Sequence, residues 1–130
     1  MNCAIIGHGK MGREIERILA ERGHKVVLVI DENNASELTK ENLEGVDVAF
    51  EFTTPDTAAH SVRTVLEAGR RVVCGTTGWL KELKAMEALA EERGGALFYA
   101  SNFSIGVNIM FRINRRLAEL MNPHSEYNVR

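Results

Sequence analysis

The chain has 130 residues, 16 basic and 18 acidic side chains, a net charge of -2 and a pI near 6.1. That length suits one domain that buries roughly two thirds of its unfolded surface, and the interspersed charges create no field for a polyanion, which excludes nucleic acid as a partner on bulk electrostatics. The first residues lack the basic start and apolar core of a signal peptide, and no apolar run approaches the roughly 18 residues of a membrane span. Cys3 and Cys74 each sit alone in an apolar run without metal-ligand spacing, so a cytoplasmic, reducing setting is expected, with no membrane partner and no metal.

In chain order, apolar runs with strand character fall at Cys3–Ile6, Val26–Ile30, Val46–Phe52, Arg71–Cys74 and Ala96–Ala100, separated by segments of helical period. The first helix carries Met11, Ile15, Ile18 and Leu19 on one stripe and stops at Gly23. Between the second and third strands, NNASELTKENLEG is polar and predicts at most one weak helix. The next helix opens on Thr54-Pro55-Asp56, with Thr54 as cap and Pro55 in the first turn, where its missing N–H would be unpaired anyway. Val62, Val65 and Leu66 form its buried stripe. A third helix spans about Leu80 to Arg93, its start packed by Trp79, with Leu83, Met86, Leu89 and Ala90 facing inward. A fourth runs from about Ile105 to Met121 and ends at Asn122-Pro123. Strands alternating with helices imply an α/β fold, a doubly wound parallel sheet of Rossmann type, with strand order 3-2-1-4-5 expected. In the tail, Tyr127 and Val129 alternate with polar residues as at the start of a strand, leaving room for an extra edge strand.

The loop GHGKMG (7–12) decides whether the domain holds a cofactor. A lone GxGxxG is weak evidence, and a bare strand-to-helix turn is its plain alternative. Here the pattern follows a strand directly and opens an amphipathic helix, the context that gives it meaning. Gly7 permits the tight turn, Gly9 lets backbone approach a phosphate, and Gly12 lets the helix pack close to the sheet, so that N–H groups and the helix dipole face an anion. Asp31, 19 residues after Gly12 at the end of the second strand, stands where an acid accepts hydrogen bonds from ribose hydroxyls, although a solvated carboxylate is its other reading. No arginine near it offers to neutralise a 2′-phosphate, and like unit charges about 4 Å apart repel by roughly 1–4 kcal/mol. NADH is therefore expected to be preferred, with NADPH still able to bind; Lys10, in the loop, can soften the preference if it reaches the adenosine side.

Three more segments lie at the carboxyl edge of the sheet, where ligands gather: FEFTTPDT (50–57), CGTTGW (74–79) and ASNFSIGVNIMF (100–111). Each joins small residues, hydroxyls and amides to exposed backbone, and with the glycine loop they form one continuous rim.

In this order and at these separations, GHGKMG, EFTTPDT, VCGTTGW and ASNFSIGVNIMF resemble the dihydrodipicolinate (4-hydroxy-tetrahydrodipicolinate) reductases of the diaminopimelate route to lysine, and the likeness covers essentially the whole chain. It implies that Gly7, His8, Gly9, Lys10, Met11 and Gly12 hold the pyrophosphate and Asp31 the adenosine ribose. Phe52 and Thr53 would line the cofactor cleft, and Gly75, Thr76 and Thr77 the nicotinamide half, Thr77 also touching substrate. Ala100, Ser101, Asn102 and Phe103 would bind the carboxamide. His8 is expected to contribute backbone and leave its ring exposed, and Glu51 stands where the family often has Asp. The resemblance further implies a nucleotide domain over residues 1–125, with 126–130 the first residues of a substrate and oligomerisation domain. The catalytic acid and anion-binding groups are expected in that second domain and none in this chain. The full-length enzyme would be an NAD(P)H-dependent homotetramer reducing a cyclic unsaturated dicarboxylate to tetrahydrodipicolinate, while the 130 residues alone would bind cofactor without turnover. A stand-alone dinucleotide-sensing module, or the nucleotide domain of a homoserine or aspartate dehydrogenase, are the alternatives; GTTG followed by NFSIGVN is the feature that the latter should lack.

Overall fold

The computed structural model describes residues 1–124, 126 and 127. Five parallel strands, β1 (Asn2–Ile6), β2 (Lys25–Ile30), β3 (Val48–Glu51), β4 (Arg71–Cys74) and β5 (Ala96–Tyr99), alternate with four helices, α1 (Lys10–Glu21), α2 (Pro55–Glu67), α3 (Leu83–Arg93) and α4 (Ile105–Met121). The doubly wound parallel sheet expected from the alternation is present. Its strand order is 2-1-3-4-5, in place of 3-2-1-4-5.

The difference has a physical cause. The segment between β2 and β3 forms only a 3₁₀ turn at Ala35–Glu37, and Leu38, Leu43 and Val46 anchor it in the core. The chain is thereby drawn back across β1 instead of outward past β2. β3 then pairs with β1 on one side and β4 on the other, which suits a strand whose Ala49 and Glu51 are fully buried. The edge strand suspected in the tail lies largely outside the described residues.

The core is asymmetric about the sheet. On one face Ala4, Ile6, Ala49, Val72 and Cys74 pack against Val62, Val65 and Leu66 of α2 and Met86 and Ala90 of α3, the stripes that the helical period marks. On the other, a smaller cluster of Cys3, Ile5 and Leu19 sits under α1. Burial of this kind stabilises by about 25 cal/mol per Å² of apolar area, so the α2–α3 face carries most of it. α4 joins neither cluster: Ile105, Ile109, Met110, Phe111, Ile113, Leu117 and Leu120 are all exposed, and the helix makes no substantial contact with the sheet. None of the helices among the described residues is long and apolar enough to cross a membrane.

Candidate functional site

The carboxyl ends of β1, β3 and β4 converge on a cleft of about 380 Å³ lined by Gly9, Lys10, Met11, Phe52, Thr53, Pro55, Gly75, Thr76 and Thr77. At its first wall, Gly7 takes φ +97°, a left-handed conformation that side chains strain to adopt, and donates its N–H to the Ile30 carbonyl at 2.8 Å. A Cβ on Gly7 would collide with the Phe52 carbonyl, and one on Gly12 with the Gly7 carbonyl, whereas one on Gly9 would meet nothing within 4 Å. The two outer glycines are thus required by packing inside the protein. Gly9 is open toward the cleft.

The helices differ at their starts. Thr54 and Thr57 cap α2, the Thr57 hydroxyl accepting from the Thr54 N–H at 3.4 Å. Ser104 caps α4, its Oγ accepting from Val107 N at 3.4 Å. α1 begins at Gly9 with no side-chain cap. The first N–H groups of a helix have no intrahelical acceptor, so at α1 they remain free beside the cleft, at the positive end of the helix dipole. A helix start of this kind can hold an anion such as a phosphate through backbone amides.

Asp31 follows β2 and is half-buried. Its N–H donates to Asn34 Oδ1 (2.7 Å) and its Oδ1 accepts from Asn33 N (2.7 Å). Asn34 also donates to the Val29 carbonyl at 2.9 Å and to Glu37 Oε2 at 3.1 Å, fixing the turn. The second carboxylate oxygen of Asp31 accepts from none of the described residues and is free for a ligand.

The far wall is stapled by side chains. Phe52 lies against Gly75, where any Cβ would enter the ring. Trp79, buried as expected at the start of its helical segment, donates Nε1–H to the Thr76 carbonyl at 2.8 Å and meets the Tyr99 ring edge-on, centroids 5.6 Å apart. Phe103 reaches back to Phe52, centroids 6.2 Å apart. Asn102 is held within its own segment: its Oδ1 accepts from Ser104 N at 2.8 Å, and its carbonyl accepts from Asn108 Nδ2 at 2.9 Å. Ala100 is half-buried; Ser101, Asn102 and Phe103 are exposed.

The structure therefore brings Gly9, Lys10, Met11, Phe52, Thr53, Gly75, Thr76 and Thr77 to one cleft. Gly7 and Gly12 act behind it, and Asp31 and residues 100–103 do not line it. His8 departs from expectation. Its ring is not free but part-buried, with Nε2 2.7 Å from Glu16 Oε2, because position 16 lies on the exposed side of α1 within reach of the loop. Pro55 joins the lining, and Glu51 lies beneath it, fully buried; neither was singled out for a role from residue type alone. Burial and the neighbouring Glu51 carboxylate push the Cys74 thiol well above its ordinary range, so it stays protonated and acts as a donor.

A glycine turn behind free amides, with a carboxylate on the adjacent strand end, is the arrangement of the dinucleotide-binding domains of dehydrogenases. Comparison with known proteins narrows the class. The family description "Dihydrodipicolinate reductase, N-terminus" matches residues 1–103, and the chain belongs to that family. It is 37% identical over 131 aligned residues to the 4-hydroxy-tetrahydrodipicolinate reductase of Christiangramia forsetii, an alignment covering 99% of this chain and 53% of the relative. Among solved structures, the dipicolinate-bound dihydrodipicolinate reductase of Paenisporosarcina sp. TG-14 is 26% identical with a TM-score of 0.73, covering 91% of this chain and 53% of that one. A hyperthermophilic archaeal homoserine dehydrogenase in complex with NADPH shares the fold, at 20% identity and a TM-score of 0.62, over 77% of this chain and 43% of its own. The chain spans about half the length of the curated relatives it matches.

Proposed function

We propose that this chain binds NAD(P)H, with NADH preferred over NADPH, as the cofactor half of a 4-hydroxy-tetrahydrodipicolinate reductase. The observation that carries the reading is the uncapped start of α1: of the two helices whose first turns line the cleft, α1 and α2, it is the one that leaves its first amides unclaimed by side chains, and it does so where Gly9 leaves space. These amides take the pyrophosphate. The free oxygen of Asp31 accepts from the adenosine ribose and repels a 2′-phosphate. Phe52, Thr53, Gly75, Thr76 and Thr77 take the nicotinamide half, with residues 100–103 on its carboxamide and Thr77 nearest the substrate.

The dihydronicotinamide, when bound, supplies a hydride. The chain's own residues fix its orientation: the Phe52 ring closes one side, the Thr53 and Thr76 loops set the depth, and the apolar wall of Phe52 and Pro55 excludes water. In the longer protein the acceptor would be a cyclic unsaturated dicarboxylic acid, reduced with loss of water to tetrahydrodipicolinate, and the acid and anion-binding groups would come from outside residues 1–130. Alone, the chain binds without turnover. Titration calorimetry with NADH and with NADPH, followed by an assay with freshly generated substrate, tests this: tighter NADH binding and no turnover are expected, whereas equal affinities would remove the preference and appreciable turnover would overturn the inactivity.

A further inference from the structure

Glu51 is the least expected residue near the cleft. It closes β3, pairing in register with Ile6 of β1 and Cys74 of β4, and it is 0% exposed. Among the described residues no lysine, arginine or histidine pairs with it; the ion pairs of the chain lie elsewhere, on exposed or half-exposed side chains. A buried carboxylate without a cation is destabilising unless hydrogen-bond donors surround it. Four do. Oε1 accepts from the Thr53 N–H at 3.0 Å, from the Thr76 hydroxyl at 3.1 Å and from the Thr53 hydroxyl at short range, and Oε2 accepts from the Cys74 thiol at 2.8 Å. The Thr53 N–H is shared with Thr76 Oγ1 at 2.8 Å, and the Glu51 carbonyl accepts from Gly75 N at 3.0 Å.

Three of these donors come from two different loops, Thr53 after β3 and Thr76 after β4, and the fourth, Cys74, closes β4; both loops line the cleft through Thr53, Gly75 and Thr76. One side chain thus ties together the two segments that would take the nicotinamide half. An apolar residue would fill the same volume without a desolvation penalty, but it would strip the Thr53 and Thr76 hydroxyls and the Cys74 thiol of their carboxylate acceptor and leave the Thr53 N–H to Thr76 Oγ1 bond as the side-chain tie between the loops.

We infer that Glu51 is a positioning residue: its carboxylate locks the β3 and β4 loops into the one arrangement that accepts the nicotinamide end of a dinucleotide. The inference rests on the reading of the cleft as a dinucleotide site. It also predicts a selective effect, because among the described residues no hydrogen bond links Glu51 to the amides of α1 or to the Asp31 turn. The adenosine end should be indifferent to it.

The test compares calorimetric affinities for NADH and for ADP-ribose, which lacks the nicotinamide, in the wild type and in Glu51→Gln and Glu51→Asp. Gln preserves size but places an amide N–H against donors; Asp preserves the acceptor-only carboxylate but loses a methylene. E51Q should weaken NADH binding about tenfold while changing ADP-ribose affinity less than about twofold, and E51D should fall between E51Q and the wild type. A space-filling role predicts the reverse order of the two variants, and that order would overturn the inference, as would equal losses for both ligands in a folded E51Q protein. Should E51Q fail to fold by circular dichroism, Thr76→Val and Cys74→Ala each delete one donor and should show the same selective loss on a smaller scale; unchanged NADH affinity in both would refute the locking role. A wild type that binds neither ligand brings down the reading of the cleft itself, an outcome separate from the failure of Glu51 alone.

Discussion

The two ends of the cleft are built on opposite plans. At the α1 end the contacts are backbone, freed by glycines and by the absence of a cap; at the β3–β4 end they are side chains cross-linked through Glu51, Thr76 and Trp79. A diphosphate is a diffuse anion that any row of amides can hold, whereas a nicotinamide ring must be aligned to within a fraction of an ångström to react. On the proposed reading, the tolerance of each end follows from what it would hold. Substitutions at the first end should abolish or redirect binding, and those at the second should misalign it.

The largest effect should come from Gly12→Val, which drives a side chain into the Gly7 carbonyl. Overpacking of this kind destabilises by about 1–3 kcal/mol or more, and dinucleotide binding should vanish with the close approach of α1 to β1; thermal melting with calorimetry checks both. Asp31→Ala should come next, weakening NADH by roughly tenfold through loss of charge-assisted hydrogen bonds while leaving NADPH less affected, so that the ratio of the two affinities is the quantity to measure.

Alkaline pH should act on the two buried thiols, of which Cys74 belongs to the side-chain-built end. Burial raises the thiols of both Cys3 and Cys74 above the ordinary value of 9.0, so above that pH the unfolded chain loses thiol protons that the folded chain keeps. Folding then requires the unfolded thiolates to take up protons, so the stability present below pH 9 declines as pH rises, by at most about 1.4 kcal/mol per pH unit for Cys74 and by less for Cys3. Urea midpoints at pH 8 and pH 10 should diverge in the wild type and less so in C74A.

Trp79→Phe removes one hydrogen bond to the Thr76 carbonyl and should destabilise by about 1 kcal/mol, with a loss of NADH affinity but not of ADP-ribose affinity. Smallest of all, His8→Ala breaks a partly exposed pair with Glu16 and should change stability by less than about 1 kcal/mol. Its effect on ADP-ribose binding should be under twofold by titration, since the loop contributes through its backbone.

Local order was legible to within a residue or two where period and punctuation agree: Gly23, Thr54-Pro55 and Asn122-Pro123 mark helix limits that the structure keeps. Strand order was not, because the alternation of strands and helices says nothing about which side of β1 a strand enters; that was decided by Leu38, Leu43 and Val46 sinking into the core. The glycine turn and the cleft loops could be anticipated because backbone needs show in residue type. Glu51 stood out in sequence only as a substitution for Asp, since a carboxylate near a strand end reads as solvated until its four donors are seen. The bounds of α4 were equally plain in sequence, yet period marks a helix and not what it meets, and the apolar side chains of this one are exposed.

Trp79 has one further consequence. It is the only tryptophan in the chain, and its indole is fastened to the backbone of the loop that would meet the nicotinamide ring. Its emission is therefore a built-in optical gauge of that loop. A reduced nicotinamide absorbs where indole emits, so seating it nearby should quench the signal by energy transfer, while ADP-ribose, with no such chromophore, should leave the spectrum bright.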